Sequence, residues 1–229
     1  MATKLEQEIN QQPGVLATLL ENEREHIHEI AQRIKKVNPK FAVIVARGTS
    51  DHAARYAQYT FGALGGLYVG LVTPSVTTLY NATPRFEDAL VIGISQSGRS
   101  LEPTRILEEA QASGAALTLS ITNDPASPLA QVADHHIALH AGPELSLAAT
   151  KTYTGQLMAL ALLAGYLGEP PGWQDAITQV PEWVAQTLEM NHGTRAAAAR
   201  YTFATHCVTL ARGFNYCTGC EIAIKLKEL

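Results

Sequence analysis

Between residues 15 and 34 the apolar positions fall at 15, 16, 19, 20, 27, 30, 31 and 34. That spacing places them along one stripe of a helix, which must pack against a sheet or a partner. The preceding Gln11-Gln12-Pro13-Gly14 reads as an irregular lead-in. The pattern then changes. Phe41-Ala42-Val43-Ile44-Val45-Ala46 is a short unbroken apolar run rich in β-branched residues, bounded by Pro39 and Gly48, as expected of a strand buried on both faces. Similar runs recur at residues 68–72, 89–94, 115–121 and 136–139, and helical stretches at 51–64, 75–81 and 101–113 separate most of them. Strand and helix in alternation predict an α/β fold: a five-stranded parallel sheet with helices on both faces, a three-layer sandwich. Residues 151–167 are apolar almost all round and predict a buried helix. Gly168-Glu169-Pro170-Pro171-Gly172 is a break, and residues 173–190 predict a further helix, kinked or divided at Pro181.

The last part of the chain restarts this order. Residues 194–206 read as a helix, 207–211 as a strand and 217–229 as a helix, in parallel with 27–36, 41–46 and 50–64. The turns agree too: Ala46-Arg47-Gly48 and Ala211-Arg212-Gly213. Either two short turns coincide by chance, or a second domain of the same type begins here. On the second reading the chain divides into an N-terminal helical segment (1–35), a first domain (36–170), a helical linker (171–193) and the opening of a second, truncated domain (194–229).

Composition narrows the function classes. Hydrophobic residues make up 46% and charged residues 17% of the 229, which is globular and lightly charged. A formal charge of −4 supplies no basic footprint for nucleic acid. No apolar run is long enough for a membrane span, and the N-terminus has no signal-peptide core. Cys207, Cys217 and Cys220 are too few and too late for a disulfide framework, so a reducing, cytoplasmic setting is expected.

In an open parallel sheet ligands bind beyond the carboxyl ends of the strands. The loops there are rich in glycine and small hydroxyls. Arg47-Gly48-Thr49-Ser50 leaves the first strand and enters a helix. Ser95-Gln96-Ser97-Gly98-Arg99-Ser100 follows the strand at 89–94, offering three hydroxyls, an amide and the N–H groups of a helix start. A serine-rich helix cap would look the same, but two such loops on one sheet edge favour an anion such as phosphate. The loop lacks the Gly-Lys-Ser/Thr ending of a nucleotide P-loop, and there is no Gly-x-Gly-x-x-Gly. A third loop, residues 141–152, opens the apolar helix. It carries Glu144 and Lys151, which either pair with each other or meet a ligand. At the C-terminus Glu221, Lys225 and Glu228 share one helix face. On an open surface they are a plain ion-pair row; at the edge of a sugar-phosphate cleft Glu228 could be a general base tuned by Lys225.

Other signals carry less. His135 and His136 point to opposite faces of a strand, which with His140 makes a poor metal site. Cys217-Thr218-Gly219-Cys220 has redox spacing without the usual redox surroundings.

Arg47-Gly-Thr-Ser50, Ile94-Ser-Gln-Ser-Gly98, Ser120-Ile-Thr-Asn123, Ala141-Gly-Pro-Glu144 and Ala149-Thr-Lys151, in that order, resemble the sugar isomerase (SIS) domain family. Within it the likeness is to the isomerase half of glucosamine-fructose-6-phosphate aminotransferases and to relatives without the glutaminase domain. Arg212-Gly-Phe-Asn-Tyr216 and residues 221–228 look like the opening of the second SIS domain of those enzymes. The resemblance implies a ketose or aminosugar phosphate as ligand. Ser50, Ser95, Gln96, Ser97 and Ser100 would hold the phosphate and nearby sugar oxygens, within the turn of Gly48 and Thr49. Ala149, the backbone near Leu147, and Lys151 would border the sugar. Glu228 would move the proton between C1 and C2, supported by Glu221 and Lys225. It implies no metal and no cofactor, and a homo-oligomer, such as a dimer, whose neighbouring subunit completes the site. Arg99 stands where the aminotransferases usually have glutamate, suiting a more acidic sugar or simply facing solvent; Ala149 stands where relatives often have serine. The glutaminase domain, the ring-opening histidine and the imine-forming lysine of the family fall outside these residues. A non-catalytic sugar-phosphate-binding module, or an inactive fragment, is therefore the alternative to an isomerase, aminating or deaminating enzyme.

Overall fold

A 34-residue helix, α1 (Lys4–Val37), opens the chain. The computed structural model describes residues 2–82 and 84–229. A capping box sets the helix start: Glu6 N donates to Thr3 Oγ1 at 3.2 Å, and Thr3 N donates back to Glu6 Oε2 at 2.9 Å. The irregular lead-in expected at residues 11–14 is a correction, because the helix runs through Pro13. Proline has no N–H to offer the carbonyl of Ile9, four residues back, and Gln12 Nε2 donates to that oxygen instead at 2.9 Å. The expected stripe is buried, with Leu16, Leu19, Ile27, Ile30, Ala31 and Ile34 all within the main core.

Five strands follow: β1 (Phe41–Val45), β2 (Val69–Leu71), β3 (Ala89–Ile94), β4 (Leu117–Thr122) and β5 (His135–Ala138). The connections carry α2 (Thr49–Gly65), α3 (Pro74–Thr78), α4 (Leu101–Ala112) and α5 (Pro128–Val132). The strands form one sheet in the order β2-β1-β3-β4-β5, and every pair is parallel. Alternation along β3 divides its side chains between two cores: Leu90, Ile92 and Ile94 face one, Ala89 and Val91 the other. The first core lies under α1, α2 and α6 (Lys151–Gly168), and the second under α4 and α5. The result is the expected three-layer α/β architecture. From β1 the chain goes to one side for β2, then crosses back to the other side of β1 for β3. The carboxyl ends of β1 and β3 therefore flank the point where the strand order reverses, the place where such sheets open a crevice.

Beyond α6, α7 (Trp173–Glu189) is a single element that passes through Pro181, so the proline does not divide it. Next come α8 (Asn191–Ala198) and a 3₁₀ turn (Ala199–Tyr201), so the helix expected over 194–206 ends early. The strand expected at 207–211 does not form. A strand exists through its ladder, and among the described residues this run has no neighbour to pair with: Val208 and Leu210 are 83% and 91% exposed. The final helix, α9 (Tyr216–Glu228), packs against α2. Among the described residues no helix is long and apolar enough to cross a membrane.

Candidate functional site at the β1–β3 crevice

A cleft of about 200 Å³ opens at the crevice, lined by Arg47, Thr49, Ser50, Ser95, Gln96, Ser97, Ser100, Ala149, Thr152 and Gln156. Its first wall is the turn from β1 into α2. Gly48 turns there with φ +56°, a left-handed conformation that suits glycine, and this lets α2 begin at once with Thr49 and the nearly buried Ser50.

Residues 95–100, between β3 and α4, form the second wall, which is held by its own hydroxyls. Gly98 N donates to Ser95 Oγ at 3.1 Å, Ser95 and Ser100 hydroxyls stand 3.3 Å apart, and Arg99 N donates to Ser97 Oγ at 3.3 Å. Gly98 has φ +64°, and a Cβ there would lie 2.0 Å from Ser127 Oγ, so the loop can close down only on a glycine. Leu129 N donates to Gly98 O at 3.1 Å, tying the loop to α5. Ser100 makes no side-chain cap bond to α4. The first N–H groups of that helix and its positive end are therefore available to an anion. Two arginines stand nearby with carboxylate partners: Arg47 donates to Glu102 at 2.8 Å and Arg99 to Asp124 at 3.3 Å. Arg99 is three-quarters exposed and does not line the cleft, so its charge faces solvent.

Residues 141–150 and the start of α6 close the third wall. Glu144 and Lys151 do not pair with each other. Glu144 caps α6, accepting from Thr150 N at 2.9 Å, Thr152 N at 3.2 Å and the Thr152 hydroxyl. Lys151 is buried and donates to Gln11 Oε1 of α1 at 2.8 Å, away from the cleft lining. Leu147 is 87% exposed and also off the lining, whereas Ala149 is on it. The loop is fastened from outside by Glu8 of α1, which accepts from Leu145 N, Ser146 N and the Ser146 hydroxyl. Burial by itself would raise the Glu8 carboxyl, but those donors outweigh it and hold it below the usual carboxylate range. Thr152 and Gln156 were not expected at the site. They lie four residues apart on α6, which turns both toward one side, but Lys151 and Thr154 beside them are polar too, so the sequence does not single them out.

The acidic face of α9 meets the cleft at its edge. Thr49, on the lining, donates to Glu221 Oε1 at 3.1 Å and accepts from Lys225 Nζ at 3.1 Å. Glu221 also meets His52 Nδ1 at 2.6 Å and Lys225 Nζ at 3.0 Å, and Lys225 reaches Glu228 at 3.0 Å. Burial would raise the Glu221 carboxyl, yet the bonds from His52, Lys225 and Thr49 outweigh it and keep it below the usual range. Burial opposes the charge on Lys225 too, but its two carboxylates hold the ammonium above its ordinary value. Glu228 stands outermost in this row and reaches the cleft only through Lys225 and Thr49. His52 was a further omission; nothing in the local spacing links residue 52 to residue 221. The three C-terminal-region cysteines are all free thiols, and His136 and His140 face Ser120 at 3.0 Å and Glu23 at 2.7 Å respectively.

Residues 37–165, more than half of the chain, match the model of the SIS domain. This chain belongs to the SIS domain family. It is 33% identical over 222 residues to the glutamine–fructose-6-phosphate aminotransferase (isomerizing) of Methanothermobacter thermautotrophicus, an alignment that covers 97% of this chain and 36% of that protein. The SIS chain thus spans about a third of the length of that curated relative. Among solved structures it superposes on a candidate phosphosugar isomerase from Silicibacter pomeroyi with a TM-score of 0.92 and 35% identity, covering 99% of this chain and 68% of the other. The C-terminal domain of glucosamine-fructose-6-phosphate aminotransferase from Francisella tularensis shares the fold, with a TM-score of 0.83 at 23% identity over 100% of this chain and 67% of the other.

Proposed function

We propose that the cleft binds a ketose or aminosugar 6-phosphate of the fructose 6-phosphate and glucosamine 6-phosphate class. The parent protein would then move a proton between C1 and C2 of that sugar through an enediol or enolamine. One observation carries the reading: a cleft at the strand-order reversal whose walls present Thr49, Ser50, Ser95, Ser97 and Ser100 beside a helix start. Hydroxyls and free N–H groups around a positive helix end suit a phosphate dianion, and a phosphate so held fixes the register of the sugar attached to it.

In this reading residues 95–100 hold the phosphate. Ser50 joins them from the opposite wall, toward the phosphate and nearby sugar oxygens, and Thr49 and the Ala149 edge border the sugar. Glu228 takes the proton from one carbon and returns it to the other, with the Lys225 ammonium 3.0 Å from its carboxylate. Glu221 anchors Lys225 and Thr49 against His52. Isomerisation, amination with ammonia and deamination share this proton transfer. Residues 194–229 are read as the opening of a second domain of the same kind, completed in the parent protein or by a second copy in a dimer. A non-catalytic binding module remains the second reading, favoured by the position of Glu228 outside the cleft lining.

The test incubates the protein with fructose 6-phosphate and ammonia, and separately with glucosamine 6-phosphate, and follows interconversion by NMR. Turnover lost in Glu228→Gln supports the proton shuttle. Saturable shifts of the residue 95–100 amides without turnover support the binding module. No response of those amides to either sugar phosphate refutes the ligand class.

A further inference from the structure

The amide of Gln156 is a polar group of the cleft that the proposed function does not use. It lies within α6, only 1% exposed, and donates from Nε2 to Ser50 Oγ at 3.0 Å. Its other end, Oε1, is buried with no hydrogen-bond partner among the described residues, although Gln156 lines the cleft. A buried acceptor without a donor is costly, and in a ligand cleft it marks the place of a donor that arrives with the ligand.

The serine beside it has the complementary asymmetry. A hydroxyl has one proton and two lone pairs. Ser50 accepts from Gln156 and, among the described residues, gives its own proton to no acceptor. The Gln156 bond therefore leaves the Ser50 proton available to the cleft. An anionic oxygen there is the acceptor that would gain most, since hydrogen bonds to charged groups are the stronger ones.

We infer that Gln156 is a ligand-binding residue with two arms. Nε2 commits the Ser50 hydroxyl to donate to an anionic ligand oxygen, and Oε1 accepts from a hydroxyl or amino group carried on the same ligand. This rests on the phosphosugar reading and deepens it: the cleft selects a molecule with an anion and an O–H or N–H donor close together. A bare tetrahedral anion would use only the first arm.

Sulfate, which carries no donor at neutral pH, and fructose 6-phosphate separate the two arms. Both are titrated calorimetrically into the wild type, Ser50→Ala, Gln156→Met and the double variant, with the melting temperature of each recorded. For sulfate, each single variant is expected to weaken binding about tenfold, and the double variant no further, because both changes remove one shared interaction. For fructose 6-phosphate the double variant is expected to be about tenfold weaker than Ser50→Ala alone, since the second arm is lost as well. Additive losses for sulfate, or fructose 6-phosphate binding to Gln156→Met at wild-type strength, overturn the inference. A mere packing role would lower the melting temperature and weaken both ligands alike, which also overturns it. If Gln156→Met does not fold, Gln156→Glu keeps the shape but cannot donate to Ser50. It should weaken sulfate more than tenfold, and unchanged affinity overturns the inference. Wild type that binds neither probe in the cleft overturns the phosphosugar reading and this inference together; wild-type binding that the variants leave unaltered overturns this inference alone.

Discussion

Replacing Gly98 by alanine tests the account of the 95–100 loop most directly. The added Cβ meets two difficulties. The backbone has φ +64°, where a side chain costs about 1–2 kcal/mol. The Cβ would also sit 2.0 Å from Ser127 Oγ and 2.5 Å from Ser127 Cβ. Rotating the hydroxyl away relieves only the first contact, and it breaks the Ser127 cap on α5 (Ala130 N to Ser127 Oγ, 3.4 Å), worth about 1 kcal/mol. The second contact is between atoms fixed to the backbone, so the loop or the α5 start must shift. Together these make Gly98→Ala about 3 kcal/mol less stable, a drop of roughly 6–12 °C in melting temperature for a chain of this size. Sulfate or sugar-phosphate affinity should fall with it, because the loop that moves carries Ser95, Ser97 and Ser100. Pairing Gly98→Ala with Ser127→Gly removes both contacts while leaving the φ strain and the lost cap. It should therefore recover part of the melting temperature but not all. Calorimetric unfolding of the two variants is the assay. A Gly98→Ala protein within about 0.5 kcal/mol of wild type would refute the argument that this turn closes only on glycine.

Other expectations follow from buried and paired polar groups elsewhere in the fold. Burial pushes the His136 imidazole down to about 4 from its ordinary 6.5. Its stabilising contribution is then complete above about pH 6.5 and lost as pH falls toward 4, because the unfolded chain binds the proton more tightly. An NMR titration should place its midpoint near 4, and a midpoint near 6.5 would refute the burial argument. Glu8, held below the usual carboxylate range, contributes stability above its ordinary value of 4.5 that is lost as pH falls through its lowered folded value. Glu8→Gln should flatten that acid dependence in urea unfolding and raise amide exchange over residues 144–150. Glu221→Gln weakens the contacts to His52, Lys225 and Thr49. It should cost about 1–3 kcal/mol, read as faster amide exchange over α9 with the sheet unaffected.

The sheet was legible because strands buried on both faces must be apolar throughout, so each run announces itself without neighbours. The stripe of α1 was legible for the corresponding helical reason. Where local chemistry and packing disagreed, packing prevailed. Pro13-Gly14 looks like a break, but the helix is pinned after it by the buried stripe from Val15 onward and before it by Glu8, bonded to Leu145 and Ser146, and Gln12 supplies the missing donor. Residues 207–211 look like a strand yet lack an edge to pair with, and an apolar run cannot make a ladder by itself.

The candidate site divides along the same line. Ligands of an open parallel sheet meet the loops after its strands, so the hydroxyls at 49–50 and 95–100 could be named from the order of the elements alone. Which polar residues of α6 face the cleft could not. Lys151, Thr152 and Gln156 lie within two turns of one helix; only the packing of α1 and α2 against it sends Lys151 to Gln11 and Gln156 to Ser50. Glu221 and His52 are likewise joined by the docking of α9 on α2. The sequence alone determined the alternation of strand and helix and the chemistry of the strand-end loops, because both depend on residues close together in the chain. The tertiary structure decided which distant charges and amides became partners, because a hydrogen bond between residues a hundred positions apart exists only once the layers between them are packed.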